Sequence, residues 1–230
     1  MRLDKLLSNL KYGSRNDIKA LVKKKAIRVN DTIIKDSGMN IDPDNDKVYI
    51  DDEPIFIKEN IYLMLHKPSG YICANKDGLH KTVIELIKEP YNRYDLIIVG
   101  RLDIDTEGLL LLTNDGLWAH KIITPKNLHY KKYYVKLKNE LKDYDCLLEG
   151  VEILDGNNEL YKTKKAYITK ISDYECYISI CEGKFHQVKR MFEYINNKVI
   201  YLKRVEIANL SLGDLALGKY KEINKSDIEI

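Results

Sequence analysis

Hydrophobic positions near the N-terminus predict two short helices. Four leucines follow the i, i+3, i+4, i+7 spacing of an amphipathic helix that should end near Gly13: Leu3, Leu6, Leu7 and Leu10. Ser14, with Asp17 three residues later, has the pattern of a capping box and should begin a second helix. The apolar side chains of that helix, which we expect to face the core, are Ile18, Leu21 and Val22.

Short apolar runs follow the two helices and predict small strands. Residues 27–29 and 33–34 flank an Asn-Asp turn, which is typical of a hairpin, and residues 48–50 supply a closing strand. The stretch 54–60 looks like a linker. These elements predict a small first domain of two helices and short strands, covering residues 1–59.

Beyond residue 60 the hydrophobic pattern is mainly that of strands. Apolar or alternating runs occur at 61–65, 96–99, 109–112, 131–137, 151–154, 165–168, 176–180 and 201–207. We also expect a turn at 66–70, a returning strand from 71–73, and helices at 82–88, at 117–123 and after residue 186. Because regular strand–helix–strand alternation is missing, the pattern predicts an α+β fold whose second domain, 60–230, has a mixed, largely antiparallel sheet.

Composition limits the classes of protein. The chain of 230 residues is 44% hydrophobic and 32% charged, which is typical of a soluble globular protein, and no apolar run approaches the roughly 18 residues of a membrane span. The N-terminus has an early acidic residue and no continuous apolar region, so we expect no secretory signal and a cytoplasmic location. The four cysteines form no Cys-x-x-Cys pair, which predicts reduced thiols and no metal site.

Charge is distributed unevenly within the first sixty residues. Residues 1–35 have a balance of +7, whereas residues 36–60 have a balance of −6. On the second predicted helix Arg15, Lys19 and Lys23 recur every four residues and form one basic stripe. Such a stripe favours a polyanion such as nucleic acid, although an ordinary solvated helix face would have the same pattern.

One charged loop lies between two apolar strands, at residues 100–108. Asp103 is costly to place there unless a partner or a reaction needs it. A salt bridge with Arg101 is one explanation, and a carboxylate pair with Asp105, as in glycosidases, is a weaker one. A second cluster of polar residues follows the strand at 176–180 and contains Lys184, His186, Lys189 and Arg190. Its cations could hold Asp103 in its ionised form.

The N-terminal motifs resemble the S4 RNA-binding domain. They are Arg2-Leu3-Asp4-Lys5-Leu6-Leu7, Gly13-Ser14-Arg15 and Val29-Asn30-Asp31, with Asp31 standing where family members usually have glycine. The resemblance implies that six residues approach RNA phosphates: Arg2, Lys5, Ser14, Arg15, Lys19 and Lys23.

The remaining motifs resemble those of the RsuA-type pseudouridine synthases, in which an S4 domain also precedes the synthase domain. They are Gly100-Arg101-Leu102-Asp103-x-x-Thr106-x-Gly108-Leu109, the tyrosine at 133, and Gly183-x-x-His186-Gln187-Val188-Lys189-Arg190-Met191. The resemblance implies that Asp103 is the nucleophile, attacking either the ribose C1′ or the uracil ring. Tyr133 would stack on the target base and Lys189 would pair with the aspartate. Arg101 would help displace the flipped nucleotide, and Arg190 would contact RNA.

Details within the family favour the small-subunit ribosomal RNA enzyme. Residues 103–108 and 118–120 look more like that enzyme than its large-subunit relatives, which implies uridine 516 of 16S rRNA as the target. The resemblance implies no metal or cofactor, and the RNA is free or within a small-subunit assembly intermediate. We expect a monomer that does not bind membranes. The alternatives are a 23S rRNA synthase of the same family and a non-catalytic S4-domain assembly factor.

Overall fold

The computed structural model describes residues 1–124 and 129–229. The chain divides into two units. The smaller contains Met1–Ile61 together with Ile87–Leu96, and the larger contains Tyr62–Leu86 and the chain from Ile97 onward. The segment Ile87–Leu96 thus groups with the N-terminal residues, a feature that no sequence pattern indicated.

The two predicted helices of the smaller unit are confirmed as α1, Leu3–Asn9, and α2, Arg15–Lys23. The four predicted leucines of the first helical pattern are buried, as are Ile18 and Val22 of α2. At the start of α2 the hydroxyl of Ser14 accepts from the backbone N–H of Asp17 at 3.2 Å. The Asp17 carboxylate accepts in return from the Ser14 N–H at 2.9 Å, so the predicted capping box is formed.

Four short antiparallel strands complete the smaller unit. They are β1 Ile27–Val29, β2 Thr32–Ile33, β3 Val48–Ile50 and β4 Glu53–Pro54, in the order β2-β1-β3-β4. The stretch 54–60 was expected to be a plain linker, but its beginning is strand and its side chains are engaged. Phe56 packs edge-on against Tyr91 and Tyr94, at ring distances of 5.4 and 6.4 Å. These contacts attach Ile87–Leu96 to the smaller unit.

The larger unit is built on a nine-stranded sheet. Its described strands, together with the separate pair β9 and β10, are β5 Tyr62–Lys67, β6 Ile97–Val99, β7 Glu107–Thr113, β8 Lys131–Leu137, β9 Glu152–Leu154, β10 Leu160–Lys162, β11 Tyr167–Ser172, β12 Glu175–Ile180, β13 Val199–Ile207, β14 Leu210–Ser211 and β15 Tyr220–Glu222. The order is β11-β12-β8-β13-β7-β5-β15, with β6 beside β7 and β14 beside β13. Its helices are α3 Gly116–Ile123, α4 Asp145–Glu149 and α5 Gln187–Tyr194. It also has single 3₁₀ turns at Val83–Leu86 and Lys225–Asp227, and a further 3₁₀ turn, Tyr91–Arg93, belongs to the smaller unit.

Most neighbouring strands are antiparallel, and β7 and β13 form a parallel pair at the middle of the sheet. At this pair Gly108 lies opposite Arg204 with φ at +115°. A Cβ atom at Gly108 would lie 2.5 Å from the backbone nitrogen of Arg204, well inside van der Waals contact. Only glycine therefore allows the two strands to approach here, directly after the charged loop.

Two apolar clusters pack against the sheet of the larger unit. One joins β8, β12 and β13 to α5, through side chains such as Val135, Ile178 and Phe192. The other joins β5 and β7 to α3, whose Trp118 packs edge-on against Tyr62 at 4.9 Å. The charged loop at 100–106 leaves β6 and enters β7, and its Leu102 belongs to the first cluster.

Three predicted elements after residue 65 are wrong in detail. The strand β5 continues through His66 and Lys67, where a turn was expected, and the side chains of β5 are buried along its length. No strand forms at 71–73, where Ile72 makes only an isolated bridge with Thr82. The expected helix at 82–88 is one 3₁₀ turn, Val83–Leu86, and the Glu85 carboxylate accepts from the N–H of Thr82 at its start.

Candidate active site

A cleft of about 400 Å³, its open mouth included, lies beside the charged loop of the larger unit. Its walls come from the loop after β6, from β8, and from the segment between β12 and α5. Among its lining residues are Arg101, Asp103, Tyr133 and His186. The structure therefore brings together two residues that the sequence predicted to be catalytic, Asp103 and Tyr133, although they are far apart in the chain.

Asp103 is held by side chains at the start of α5. Its Oδ2 accepts a hydrogen bond from the Lys189 ammonium at 2.9 Å, and Nε2 of His186 lies 3.6 Å from Oδ1. Among the described residues these are the basic side chains within 4 Å of the Asp103 carboxylate, so the alternative salt bridge with Arg101 is not formed. With 27% of its side chain exposed, Asp103 is paired and still open to the cleft.

The same lysine also binds Asp105. The ammonium of Lys189 lies 2.6 Å from Oδ1 of Asp105. Partial burial lowers the pKa of Lys189, but hydrogen bonds to the two aspartates outweigh it and leave this pKa above its usual value. For Asp105, burial raises the pKa, and the bond and charge of Lys189 reverse the shift, so the pKa lies below normal. Lys189 therefore remains a cation, and Asp105 remains an anion outside the cleft lining.

The local fold around α5 explains why Lys189 points to the loop. His186 precedes the helix in a left-handed conformation, with φ at 51°. The side chain of Gln187 accepts from the N–H of Lys184 at 3.0 Å and donates to Glu182 at 3.0 Å, which fixes the turn into the helix. Because Val188 and its helical neighbours Met191 and Phe192 are buried in the core, Lys189 is left on the side of the charged loop.

The buried side chain of Lys67 holds the charged loop in place. The sequence assigned no role to this residue. The ammonium of Lys67, at the end of β5, donates to backbone carbonyls of Pro68, Asp103, Ile104 and Thr106, at 2.8 to 3.3 Å. Burial lowers the pKa of Lys67, while nearby carboxylates oppose the shift. Lys67 is therefore a positioning residue for the loop that carries Asp103. Its only indication in the sequence is a lysine at the end of an apolar strand.

Arg204 on β13 holds the two ends of the same loop. Its Nε donates to the carbonyl of Leu109 at 2.8 Å, and Nη1 donates to the carbonyl of Arg101 at 3.4 Å. Sequence reasoning did not single it out, since one arginine in an alternating strand resembles a surface residue. Arg101 itself has an exposed side chain at the cleft rim, which leaves its guanidinium accessible.

Tyr133 is fixed in the middle of β8, where it pairs with Ile178 of β12 and Arg204 of β13. Only 7% of the tyrosine is exposed, and it lines the cleft on the same side of the sheet as α5. Strands on both sides of β8 restrict its backbone. An aromatic ring held in this way provides a rigid wall on which a flat base can stack.

The other predicted RNA-binding residues have varied surroundings. Arg190 donates to the carbonyls of Leu154 and Asp155, the latter at 2.9 Å. Arg2 forms a two-point bond with Asp4, at 3.0 and 2.7 Å. The hydroxyl of Ser14 serves the helix cap. The remaining four are exposed on α1 and α2 of the smaller unit: Lys5, Arg15, Lys19 and Lys23.

The described residues contain neither a cluster of potential metal ligands nor a helix that could span a membrane. Within 1–124 and 129–229 no group of three or more His, Cys, Asp or Glu side chains is arranged to hold a metal ion. Over the same ranges no helix has the length and apolar character needed to cross a bilayer.

Comparisons with known proteins agree with this architecture. Residues 61–194 match the family of RNA pseudouridylate synthases, and residues 1–48 match the S4 domain. The chain is 42% identical to an uncharacterized RNA pseudouridine synthase, YtzG, of Bacillus subtilis, with 100% of this chain and 98% of the relative covered. It is 36% identical to ribosomal small subunit pseudouridine synthase A of Haemophilus influenzae, with the same coverage.

A solved structure supports the same assignment. The crystal structure of a pseudouridylate synthase aligns with a TM-score of 0.68 at 35% identity, covering 99% of this chain and 97% of the other. The α+β fold class and the resemblance to the RsuA-type synthases are thereby confirmed. The chain belongs to the RNA pseudouridylate synthase family, with an S4 domain at its N-terminus.

Proposed function

We propose that the protein converts one uridine of 16S ribosomal RNA, uridine 516, to pseudouridine, with Asp103 as the nucleophile. The observation that carries this proposal is the Asp103 carboxylate, which is open to a cleft with Tyr133 and bound to Lys189 at 2.9 Å. The 16S assignment is supported by full-length relatives from several bacteria that are named ribosomal small subunit pseudouridine synthase A.

Lys189 suits the chemistry of a carboxylate nucleophile. A cation at hydrogen-bonding distance favours the ionised carboxylate and fixes one of its oxygens, which leaves the other to react. The carboxylate attacks either C1′ of the ribose or the uracil ring, and the bond between N1 and C1′ breaks. The uracil turns and rejoins C1′ through C5, the bond to the Asp103 carboxylate breaks and frees the carboxylate, the C5 proton is lost, and N1 gains a proton. Reactant and product are isomers, so the balance needs no further reagent.

The cleft also suits a base that has left its stack. A uridine in folded RNA must be extruded before its C1′ can be reached, which costs a few kcal/mol. Stacking on the fixed ring of Tyr133 recovers about 1–3 kcal/mol of that cost. Arg101, exposed at the cleft rim, occupies the space that the flipped nucleotide leaves in the RNA.

RNA is delivered to the cleft by the N-terminal domain in this proposal. Residues 1–59 form the S4 domain and residues 60–230 the synthase domain. The exposed cations of α1 and α2 bind phosphates of the RNA, Arg2 adds a contact just before α1, and Arg190 adds one from α5 of the larger unit. The protein acts as a monomer in the cytoplasm, on free 16S rRNA or on a small-subunit assembly intermediate.

Site-resolved mapping of pseudouridine in both ribosomal RNAs tests the proposal. Cells lacking the protein should lose one pseudouridine, at position 516 of 16S rRNA. The wild-type gene should restore it, and a gene encoding Asp103→Asn should not. Loss of a 23S site instead would assign the protein to the large subunit. Unchanged maps in both RNAs would contradict the proposal and favour a non-catalytic assembly factor.

A further inference from the structure

A second cavity lies beside the cleft and has no part in the mechanism proposed above. It measures about 940 Å³ with its open mouth, and it shares Arg101, Tyr133 and Gly183 with the cleft as common walls. A group bound in this cavity would therefore lie directly next to the nucleotide that stacks on Tyr133.

The cavity is lined by a buried arginine with an unused donor. Only 2% of Arg204 is exposed. Its Nε and Nη1 atoms hold the carbonyls of Leu109 and Arg101, but Nη2 is buried and has no hydrogen-bond partner in the described part of the chain. A buried guanidinium N–H left unpaired is unfavourable, because the group has lost its water. An acceptor entering the cavity would remove that cost.

A second cation lines the same cavity. The ammonium of Lys131 donates to the carbonyl of His129 at 3.1 Å, and in the described part of the chain its other two donors have no hydrogen-bond partner. Lys131 lies two residues before Tyr133 on β8, and Tyr133 is paired with Arg204 of β13, so the two cations line the cavity from adjacent strands. Burial lowers the pKa of Lys131, and the charge of Arg204 lowers it further. The carboxylate that borders them, Glu182, accepts from Tyr161, from the Lys164 N–H and from Gln187, so its oxygens are already engaged.

We propose that this cavity is a phosphate subsite, in which Arg204 and Lys131 bind the phosphodiester group of a nucleotide next to the target uridine. This inference rests on the proposed function, which makes RNA the substrate. A phosphodiester has two free oxygens, so it can accept from Nη2 and from the ammonium together. The lining also contains the apolar side chains of Val99, Ile122 and Ile207, which suit the sugar or base of the same nucleotide.

The first experiment measures anion binding without catalysis. The unfolding temperature of the full chain is followed as inorganic phosphate is added, because a ligand that binds only the folded state raises it. Lys131→Met removes a donor from the cavity. Lys132→Met is the matched control, since Lys132 is the next residue of β8 and lies over the ring of Tyr177, on the opposite face of the sheet.

We expect phosphate to stabilise the wild type and Lys132→Met equally, and Lys131→Met clearly less. Phosphate bound elsewhere contributes the same to all three proteins, so the difference isolates the cavity. Equal stabilisation of all three would overturn the subsite. Unfolding temperatures without phosphate show whether Lys131→Met is folded, and Arg204→Lys, which keeps the charge but loses the Nη2 donor, provides a second variant.

The second experiment identifies the phosphate. Uncharged methylphosphonate linkages replace the phosphates around the target uridine one at a time in a short RNA, and KM and kcat for pseudouridine formation are measured. One linkage should raise the wild-type KM about tenfold, the loss of one charge-assisted hydrogen bond. With Lys131→Met the KM should already be raised, and that linkage should have little further effect.

The outcomes separate the subsite from the proposed function. If the wild type forms pseudouridine but no linkage is coupled to Lys131, the RNA assignment of the cavity fails and the catalytic proposal stands. Phosphate could raise the unfolding temperature through Lys131 while no methylphosphonate linkage changes KM. The cavity would then bind a free anion, and the proposal that it binds an RNA phosphate would again fail. A wild type that modifies no ribosomal RNA overturns the proposed function, and the stability measurement still decides whether the cavity binds phosphate.

Discussion

The Lys189 ammonium lies 2.9 Å from Oδ2 of Asp103, and this contact joins residues 86 positions apart in the chain. It connects the first turn of α5 to the loop between β6 and β7. The same ammonium binds Asp105 at 2.6 Å, so one cation holds two carboxylates of different exposure. Asp103 lines the cleft, whereas 64% of the Asp105 side chain is exposed. The two aspartates should therefore differ in function.

Asp103→Asn should abolish pseudouridine formation, with a fall in kcat of at least about 10⁴-fold, because an amide cannot act as the nucleophile. RNA affinity should change less than about threefold, since one exposed atom is exchanged for another of equal size. Asp105→Asn is the matched control and should keep kcat within about tenfold. Both are measured by single-turnover assays on a 16S rRNA transcript. Turnover by Asp103→Asn at the wild-type rate would refute the assignment.

Lys67→Met should destabilise the larger unit and slow the reaction. The variant keeps the length of the side chain but leaves the carbonyls of Asp103, Ile104 and Thr106 without their donor, which should cost about 3 kcal/mol of unfolding free energy. We also expect kcat to fall more than RNA affinity, because the loop would no longer be held under Asp103. Urea unfolding measures the first effect. Lys221→Met, an exposed position on the neighbouring β15, should change neither quantity.

Asp115 should make the stability depend on pH in the acid range. It caps α3 by accepting from Trp118, and it also accepts from Tyr62 and from Lys225. Burial raises the pKa of Asp115, but these bonds outweigh it and lower the pKa from 3.8 to about 2. Since the unfolded state binds the proton more readily, the stabilisation is complete above about pH 4 and is lost as the pH falls toward 2.

Asp115→Asn should accordingly lower the unfolding free energy by about 2 kcal/mol at pH 7. The difference from wild type should begin to shrink below about pH 4, where the wild type loses the same interaction. Urea titrations at several pH values between 3 and 7 measure it. A difference that stays constant across this range would show that the charge of Asp115 contributes nothing.

Charge reversal on α2 should weaken RNA binding. Arg15→Glu together with Lys19→Glu removes two exposed cations, and the slope of log affinity against log salt should decrease by about 1 to 2. The control is Lys165→Glu with Lys170→Glu, two exposed lysines that already pair with Glu149 and Asp173 at 2.8 Å. Filter binding at several salt concentrations compares them. An unchanged slope in the α2 variant would show that Arg15 and Lys19 lie on an ordinary solvated helix face and do not bind RNA phosphates.

Local patterns predicted α1, α2, α3, α5 and most strands correctly because these elements follow from side chains close in sequence, whereas α4 was not predicted and the helix expected at 82–88 is a 3₁₀ turn. The four leucines of α1 and the Ser14–Asp17 cap are of this kind. The prediction failed at His66 and Lys67, where polar residues before a proline suggested a turn. In the structure β5 continues there, because the ammonium of Lys67 finds acceptors on a loop nearly forty residues later in the chain. Hydrogen bonds between residues so far apart in the chain produce no periodic pattern from which they could be predicted.

The sequence likewise predicted some residues of the candidate site and missed others. The motifs pointed to Asp103, Tyr133 and Lys189, and the fold brings Asp103 and Tyr133 to one cleft and the Lys189 ammonium to the Asp103 carboxylate. They did not point to Lys67 or Arg204, since both act by donating to backbone carbonyls, and a carbonyl has the same chemistry in every residue. Which carbonyl a long cation reaches is decided only by tertiary structure.

The bonds of Arg204 also determine when the site can form during synthesis. The loop at 100–106 emerges from the ribosome well before α5 and β13, yet its Asp103 carboxylate is held by Lys189 and its ends by Arg204. Until the last third of the chain has been translated, the loop lacks both cations. A nascent or truncated chain ending before Val199 would thus have the complete S4 sequence and the Asp103 motif without all the contacts that hold this loop. The cleft beside Asp103 is therefore among the last parts of the larger unit to form during synthesis.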